Sequence, residues 1–343
     1  MSTDTNINTS NSSRVLVTGA GGPAAIAVLR SLGGDPSVVL VTADMDPWAS
    51  GLYLTSARHR VLVPAGTAEN FIDALLEQCR RHRINVLVPT VDAELEPIAA
   101  ALDRFEAIGV QVLGAPADVL SLTLDKFELA RKCVDVVRVP RTELVTETDP
   151  MMWEYPVIVK PRRGSGSRGV KIIESADDFS ARGWHEDAMI QEFLPGEEYS
   201  IDVLATTDGV PLAAVPRMRV RVDSGIAVAG RTLNDPELEQ FAFAVVACLR
   251  LPYISNVQVR RDREGHPALL EVNPRVPGSL ALTIAAGVDM VCYALNELRG
   301  LPIPVILKHR EVAMVRYLSD HVVELPDLMP EVWESGERGG SSE

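Results

Sequence analysis

An apolar run at 14–18 breaks at the turn G-A-G-G-P-A (19–24), and a helix-like pattern follows at once. Only a strand delivered through a tight turn into a helix accommodates that order, because glycine alone turns so sharply so close to a helix start. A second apolar run closes on Asp44, some 25 residues past Gly19. The pair is close to the dinucleotide fingerprint, in which a glycine turn meets a pyrophosphate and a strand-end acid meets a ribose. Taken alone, it predicts a nicotinamide-dependent dehydrogenase.

The surrounding pattern extends the unit. Strands are expected at 14–18, 38–42, 84–90 and 110–113, with helices at 23–33, 68–82 and 93–107 between them. Apolar runs joined by amphipathic segments indicate a parallel sheet covered on both faces. From 116 onward the text changes. A helical stretch at 122–133 precedes short strands at 155–160 and 169–173. Longer strands follow at 188–193, 197–205 and 210–221, a helix at 234–249, strands at 254–261 and 267–273, and helices at 278–286 and 288–298. Clustered strands with added helices read as α+β rather than repeated βαβ units.

Composition narrows the function classes. A formal net charge of −14 over 343 residues argues against a chain that binds nucleic acid mainly by charge. No apolar run approaches the ~20 residues of a membrane span. Residues 1–13 are polar, lack signal-peptide regions and read as a disordered leader; 331–343 read as a flexible tail. Cys79, Cys133, Cys248 and Cys292 lie far apart, which suggests buried thiols in a reducing cytoplasm.

Three stretches carry chemistry. In VIVKPRRGSGSRGV (157–170), a strand ends on Lys160 and a basic, glycine-rich loop follows. Its backbone N–H groups suit an anion, so it reads as a lid over phosphates or as a basic surface hairpin. In MIQEFLPGEEYSIDV (189–203), acids flank a Pro-Gly turn. They are either solvated or placed to accept from ribose hydroxyls. In NVQVRRDREGHPALLEVNPR (256–275), a hairpin returns with Glu271 and Asn273 two apart, hence on one face, and Gln258 on the facing strand. One carboxylate and two amide oxygens form a hard, oxygen-only set suited to Mg²⁺ held jointly with phosphates, and Arg275 adds a fork donor. Strand alternation puts Arg217, Arg219 and Arg221 on one face; with Arg231 they form a candidate clamp for a substrate carboxylate or phosphate, or solvated edge charges.

In this order the motifs resemble the ATP-grasp superfamily, especially the branch of the carbamoyl phosphate synthase large chain and related carboxylate–amine ligases. The likeness runs over about 14–300. Asp125-Lys126, V-K-P with its glycine loop, QEFLPGEEYSIDV, NVQV and LLEVNPRVPGS carry it. It implies a Rossmann-like pre-ATP-grasp domain (14–115), then a two-subdomain ATP-grasp fold with a small lid (116–187) and a large subdomain (188–330). The overall class is α/β and α+β.

The resemblance also implies roles. Lys126 and Lys160 match lysines that contact ATP phosphates, and Gly164, Ser165, Gly166, Ser167 and Gly169 match the loop closing over them. Gln191, Glu192, Phe193 and Leu194 match the adenine-contacting linker, and Glu198 the ribose carboxylate. Gln258, Glu271 and Asn273 match ligands for Mg²⁺ (Mn²⁺ as an alternative). Arg275, with Lys160, matches the charge at the transferring phosphoryl group, and Ser279 lies beside the acceptor site. Many members carry an acid where Gln258 stands, which leaves one metal ion or two open.

The function implied is an amide-forming ligase. It would join a small-molecule carboxylate, such as an amino acid, to an amine through an acyl phosphate. A bicarbonate-activating enzyme with another acceptor, or an ATP-binding protein without turnover, are the alternatives. The synthase's second copy of this unit and its glutaminase part are not in these residues, so carbamoyl phosphate synthesis itself is not expected. A homodimer and a cytoplasmic location follow at family level, with neither nucleic acid nor membrane as partner. The turn at 19–24 then belongs to a pre-domain without a dinucleotide, where Gly21 and Gly22 either hold a substrate carboxylate or do no more than shape the wall of the cleft.

Overall fold

A computed structural model describes residues 12–164, 166, 168–223, 226–304, 307–329 and 331. The chain divides into two compact units. One holds the residues up to Leu113 together with the stretch from Leu318; the other runs from Gly114 to Tyr317.

In the first unit the apolar runs form a parallel sheet. Its strands are β1 (Ser13–Val17), β2 (Val38–Asp44), β3 (Arg60–Leu62), β4 (Val86–Val88) and β5 (Gln111–Val112), in the order β3-β2-β1-β4-β5. Val15 pairs with Leu40 on one side and Val86 on the other. This central position explains why β1 is apolar without alternation: Val15, Leu16 and Val17 are fully buried. Helices α1 (Pro23–Leu32), α2 (Phe71–Arg81), α3 (Asp92–Ala99) and α4 (Leu102–Glu106) connect the strands. Pro23 starts α1, where a missing N–H costs nothing. The helix expected over 93–107 is two helices, with Pro97 inside the first and a tightened turn, the Ala101 N–H on the Ile98 carbonyl, between them.

Residues after Tyr317 were expected in the large subdomain. They group instead with the first unit. Val323, Leu328 and Met329 pack on the cluster of Ala20, Ala49, Leu52 and Tyr53, and Arg60 Nη1 donates to the Asp327 carbonyl.

The second unit begins with α5 (Ala117–Thr123) and α6 (Lys126–Cys133), a stretch expected as one helix. Asp125 separates them because its carboxylate accepts from the N–H groups of Phe127 (3.0 Å) and Glu128 (3.3 Å) and so caps α6. A four-stranded antiparallel sheet follows, built from β6 (Thr142–Leu144), β7 (Val157–Pro161), β8 (Lys171–Ile173) and β9 (Ala188–Glu192) in the order β6-β9-β7-β8. Its short helix is α7 (Ala176–Ser180), and Trp153, Val157, Ile173, Phe179 and Ile190 form its core.

The larger sheet contains β10 (Glu198–Ala205), β11 (Pro211–Asp223), β12 (Ile226–Thr232), β13 (Tyr253–Arg261), β14 (Pro267–Asn273) and β15 (Ala313–Val315). Helices α8 (Pro236–Leu249), α9 (Leu280–Ala285) and α10 (Met290–Leu298) accompany it. The strand order is β14-β13-β10-β11-β12-β15. Along β10, Ile201 and Val203 are fully buried core, while Glu198, Ser200 and Asp202 point to the other face. No helix among the described residues is long and apolar enough to cross a membrane.

Candidate active site

The register of the larger sheet gathers a polar lattice on one face. Ser200 pairs with Gln258, and Gln258 with Glu271; Asp202 pairs with Asn256, and Asn256 with Asn273. Gln258 and Glu271 are therefore direct cross-strand neighbours, and Asn273 lies two residues farther along the same face. A register shift follows Gln258, leaving Leu270 as an extra residue on β14. Because of that bulge, consecutive Leu270 and Glu271 both border one cavity.

That cavity encloses about 330 Å³. Lys126, Lys160, Gly164 and Gly166 border it at one side, and Gln191, Glu192, Phe193, Leu194 and Glu198 at another, with Gln258 and Glu271 between. Gly164 (φ 125°) and Gly166 (φ 69°) hold backbone that other residues rarely adopt. Ser165 and Ser167 lie outside the described residues. Gly169 borders a separate hollow instead.

Charge converges at the cavity wall. Lys126, first in α6, donates from Nζ to the Gly164 carbonyl at 2.6 Å and stands 3.6 Å from Glu271 Oε2. The Asp125 cap that sets its position is itself held by Arg162, whose Nη2 donates to Asp125 Oδ2 at 2.7 Å. Burial pushes the Asp125 carboxyl up, yet the hydrogen bonds from Arg162 and the α6 backbone leave it below the ordinary carboxylate value. Lys160 is buried. Desolvation brings its ammonium down to about 8; Glu271 resists that fall, Lys126 adds to it and Glu198 resists it.

Glu198 is braced by arginines that the sequence did not single out for it. Arg219 Nη1 donates to its Oε1 at 2.8 Å and Arg260 Nη2 to its Oε2 at 3.2 Å. Arg260 Nε is buried without a hydrogen-bond partner. Glu192 is likewise engaged: Arg138 Nη2 donates to its Oε1 at 2.7 Å and the Arg141 N–H to its Oε2 at 3.0 Å. The main chain there is engaged too: the Glu192 N–H donates to the Arg141 carbonyl at 2.9 Å, and the Leu194 carbonyl accepts from Arg260 Nη1 at 3.4 Å. Gln191 is buried and donates from Nε2 to Thr142 Oγ1 at 2.9 Å.

The expected arginine clamp does not assemble. Arg217 is buried and donates from Nε to Asp202 Oδ2 at 2.9 Å, where Thr283 Oγ1 also donates (2.6 Å); Asn256 Nδ2 donates to Oδ1 at 2.8 Å. Arg231 pairs with Met218, so it occupies the face opposite to Arg217 and Arg219. Arg275 leaves β14 after Pro274 and donates from Nη1 to the Val276 carbonyl at 3.3 Å. Ser279 is buried just before α9, beside Gly278, whose carbonyl accepts from Arg316 Nη2. Burial, aided by nearby Arg217, pulls the Arg316 guanidinium below its ordinary value.

The N-terminal turn corrects another expectation. The Gly21 N–H donates to Asp44 Oδ2 at 2.9 Å, and the Gly22 N–H to the Gly19 carbonyl at 2.9 Å. Both donors expected to hold a substrate carboxylate are thus satisfied within their own unit.

Comparison with known proteins agrees with this geometry. Residues 185–321 match the family described as ATP-grasp in the biosynthetic pathway with Ter operon. Residues 15–113 match the PylC-like N-terminal domain. The chain thus carries a region that matches an ATP-grasp family behind a region that matches a PylC-like N-terminal domain. It is 25% identical over 237 residues to a carbamoyl-phosphate synthase of Methanobrevibacter smithii, covering 63% of this chain and 64% of that protein. It is 30% identical over 121 residues to a D-alanine–D-alanine ligase of Thermotoga petrophila, covering 33% of this chain and 39% of that one. The chain therefore matches less than two thirds of either relative's length. Among solved structures, N5-carboxyaminoimidazole ribonucleotide synthetase from Thermotoga maritima superposes with a TM-score of 0.67 at 18% identity, covering 90% of this chain and 82% of that one. A biotin carboxylase from Campylobacter jejuni gives 0.70 at 15%, covering 85% and 72%. These likenesses establish the shared fold.

Proposed function

We propose that this protein is an ATP-dependent ligase that activates a small-molecule carboxylate and transfers its acyl group to an amine, with an amino acid among its substrates. One observation carries the reading. Lys126, Lys160, Gln258 and Glu271 border the same cavity as the 191–194 main chain and Glu198. Cations for phosphates, oxygen donors for a metal and a linker for a base thus share one space.

In this reading the base lies against 192–194 and the ribose near Glu198. Lys126 and Lys160 hold phosphate oxygens, and Arg275 lies toward the transferring group. A substrate carboxylate oxygen attacks the γ-phosphorus, the bond to the bridging oxygen breaks, and ADP leaves with that electron pair. The amine nitrogen then attacks the acyl carbon, phosphate departs, and the amine proton passes to solvent. The protein's share is positioning and charge stabilisation.

Gln258, Glu271 and Asn273 supply one carboxylate and two amide oxygens from adjacent strands. This hard donor set fits Mg²⁺ shared with phosphate oxygens better than a softer metal. Among the described residues, no group of three His, Cys, Asp or Glu offers another such site. A bound Mg²⁺ would supply Lewis-acid neutralisation of phosphate charge.

The test supplies ATP, Mg²⁺ and a panel of amino acids and amines, with carboxylates labelled by ¹⁸O. Release of phosphate carrying one ¹⁸O is the expected result, because an acyl phosphate hands a carboxylate oxygen to phosphate. ATP binding without turnover on any pair would sink the ligase reading. Turnover dependent on bicarbonate alone would move it to the other acceptor class.

A further inference from the structure

The lid sheet has two faces, and the nucleotide reading uses one. Ile158 and Ile172 are register partners on the cavity side. Their neighbours Val159 and Lys171, also partners, border a second hollow of about 740 Å³ on the opposite side. Beside Lys171 lie Arg162, Arg163, Trp184 and His185. The Lys171 ammonium stands 5.8 Å from the centre of the Trp184 ring.

The charge of this hollow runs against that of the whole chain. The formal net charge is −14, yet Lys160, Arg162, Arg163 and Lys171 border the hollow against Asp125 and Asp187; Lys160 and Arg163 border the nucleotide cavity as well, and Arg163 Nε stands 4.0 Å from Asp125 Oδ2. Arg162 already holds Asp125, and its main-chain carbonyl accepts from the Lys126 N–H at 3.0 Å. The hollow therefore adjoins the segment that sets Lys126, across Lys160, Pro161 and Arg163, which it shares with the nucleotide cavity.

The geometry points to a second anion site on this rear face, one that takes a small phosphate-bearing ligand between Arg163 and Lys171, with the Trp184 ring beside it. Two cationic side chains converging on a hollow give a phosphate charge-assisted hydrogen bonds from more than one direction. The aromatic edge favours a ligand whose phosphate is joined to a ring. The site does not depend on the ligase reading.

Calorimetry on the full chain tests it, with inorganic phosphate and phenyl phosphate as the probes. Lys126 borders only the nucleotide cavity and Lys171 only the hollow, so their variants separate the two. Lys126→Met, which alters phosphate contacts in the nucleotide cavity alone, should leave the Lys171-dependent share of probe binding unchanged. Lys171→Glu should weaken both about tenfold or more, and the milder Lys171→Gln severalfold. Trp184→Leu should remove any preference for phenyl phosphate over phosphate. Undetectable phosphate binding, binding indifferent to Lys171, or binding lost with Lys126→Met would each overturn the proposal. The last of these would return the anion to the nucleotide cavity and leave the ligase reading standing.

Discussion

Lys126 Nζ stands 3.6 Å from Glu271 Oε2, so a helix N-terminus and a strand of the larger sheet meet at the wall of one cavity; the proposed function puts phosphates there. The two groups should fail differently. Lys126→Met removes one charge-assisted contact, so the KM for ATP should rise about tenfold. Glu271→Gln removes the one carboxylate of the metal set. Turnover should fall by about two orders of magnitude, while metal-free ADP binding measured by calorimetry stays within twofold. Equal loss of metal-free ADP binding in both variants would refute the division of roles.

The Lys160 ammonium, brought down to about 8 by burial, predicts opposite pH trends for binding and for stability. Above pH 8 the charge that holds phosphate is lost, so the Kd for ADP should rise, approaching tenfold per pH unit. Lys160→Arg, which stays charged, should flatten that rise. Between pH 8 and the unfolded value of 10.5, the unfolded chain carries a proton that the folded chain lacks. The contribution of Lys160 to stability should therefore increase with pH across that window, and its cost is fully present below pH 8. Urea titrations of the unaltered protein and a Lys160→Met variant at pH 7.5 and 9.5 measure the difference.

Arg138 ties Glu192 at 2.7 Å to Asp262 at 3.5 Å, linking the end of β9 to the turn between β13 and β14. The side chain is 37% exposed, so solvent screening reduces the value of the link to roughly 1 kcal/mol. Arg138→Met should raise the KM for ATP about fivefold and leave kcat nearly unchanged. An equal fall in kcat would show that the residue acts in the chemical step rather than in positioning the linker.

The buried carboxylate of Asp202 accepts from Arg217, Asn256 and Thr283, residues drawn from two other strands and a helix. Asp202→Ala would strand a buried guanidinium, at a cost of ~3–5 kcal/mol in urea unfolding. The double variant Asp202→Leu with Arg217→Met should recover part of that loss, because it removes the unpaired charge as well. A double variant no better than Asp202→Ala would mean that the network's hydrogen bonds, not the uncompensated charge, set the cost.

What was legible in the sequence was what alternation and spacing convey. Glu271 and Asn273 two apart and Lys160 at a strand end are local facts, and each lies where its period puts it; Asp125 lies inside a stretch that reads as one helix, which its cap divides into α5 and α6. Leu270 is different. Strict alternation sends it away from Glu271, and only the bulge, which no residue type announces, brings both to the cavity. The same holds for pairings across long separations. Arg138 with Glu192 and Asp202 with Thr283 join positions 54 and 81 residues apart. A lone acid inside the largely apolar run YSIDVL (199–204) of β10 was the available signal for Asp202, but not for its partners. The edge strands β3 and β15, three residues each, are too short for a period to register.

The N-terminal turn yields the last prediction. In a dinucleotide domain the strand-end acid reaches the ribose and the helix N-terminus meets the pyrophosphate. Here Asp44 turns back on the loop: its Oδ2 accepts from the Gly21 N–H at 2.9 Å and its Oδ1 from the Asp46 N–H at 3.0 Å. A carboxylate thus stands just before α1, where a diphosphate would meet like charge. Gly19 holds φ at 62°, and a Cβ there would come within 2.4 Å of Val91 Cγ2. The turn is therefore built for close packing within its own unit. Calorimetry with NAD should show no binding. Gly19→Ala should destabilise the fold by ~1–3 kcal/mol through left-handed backbone and overpacking. Asp44→Ala should cost less, ~1 kcal/mol, because it removes two exposed backbone contacts without leaving a buried charge. Micromolar NAD binding that Asp44→Ala abolishes would restore the dehydrogenase reading of this turn.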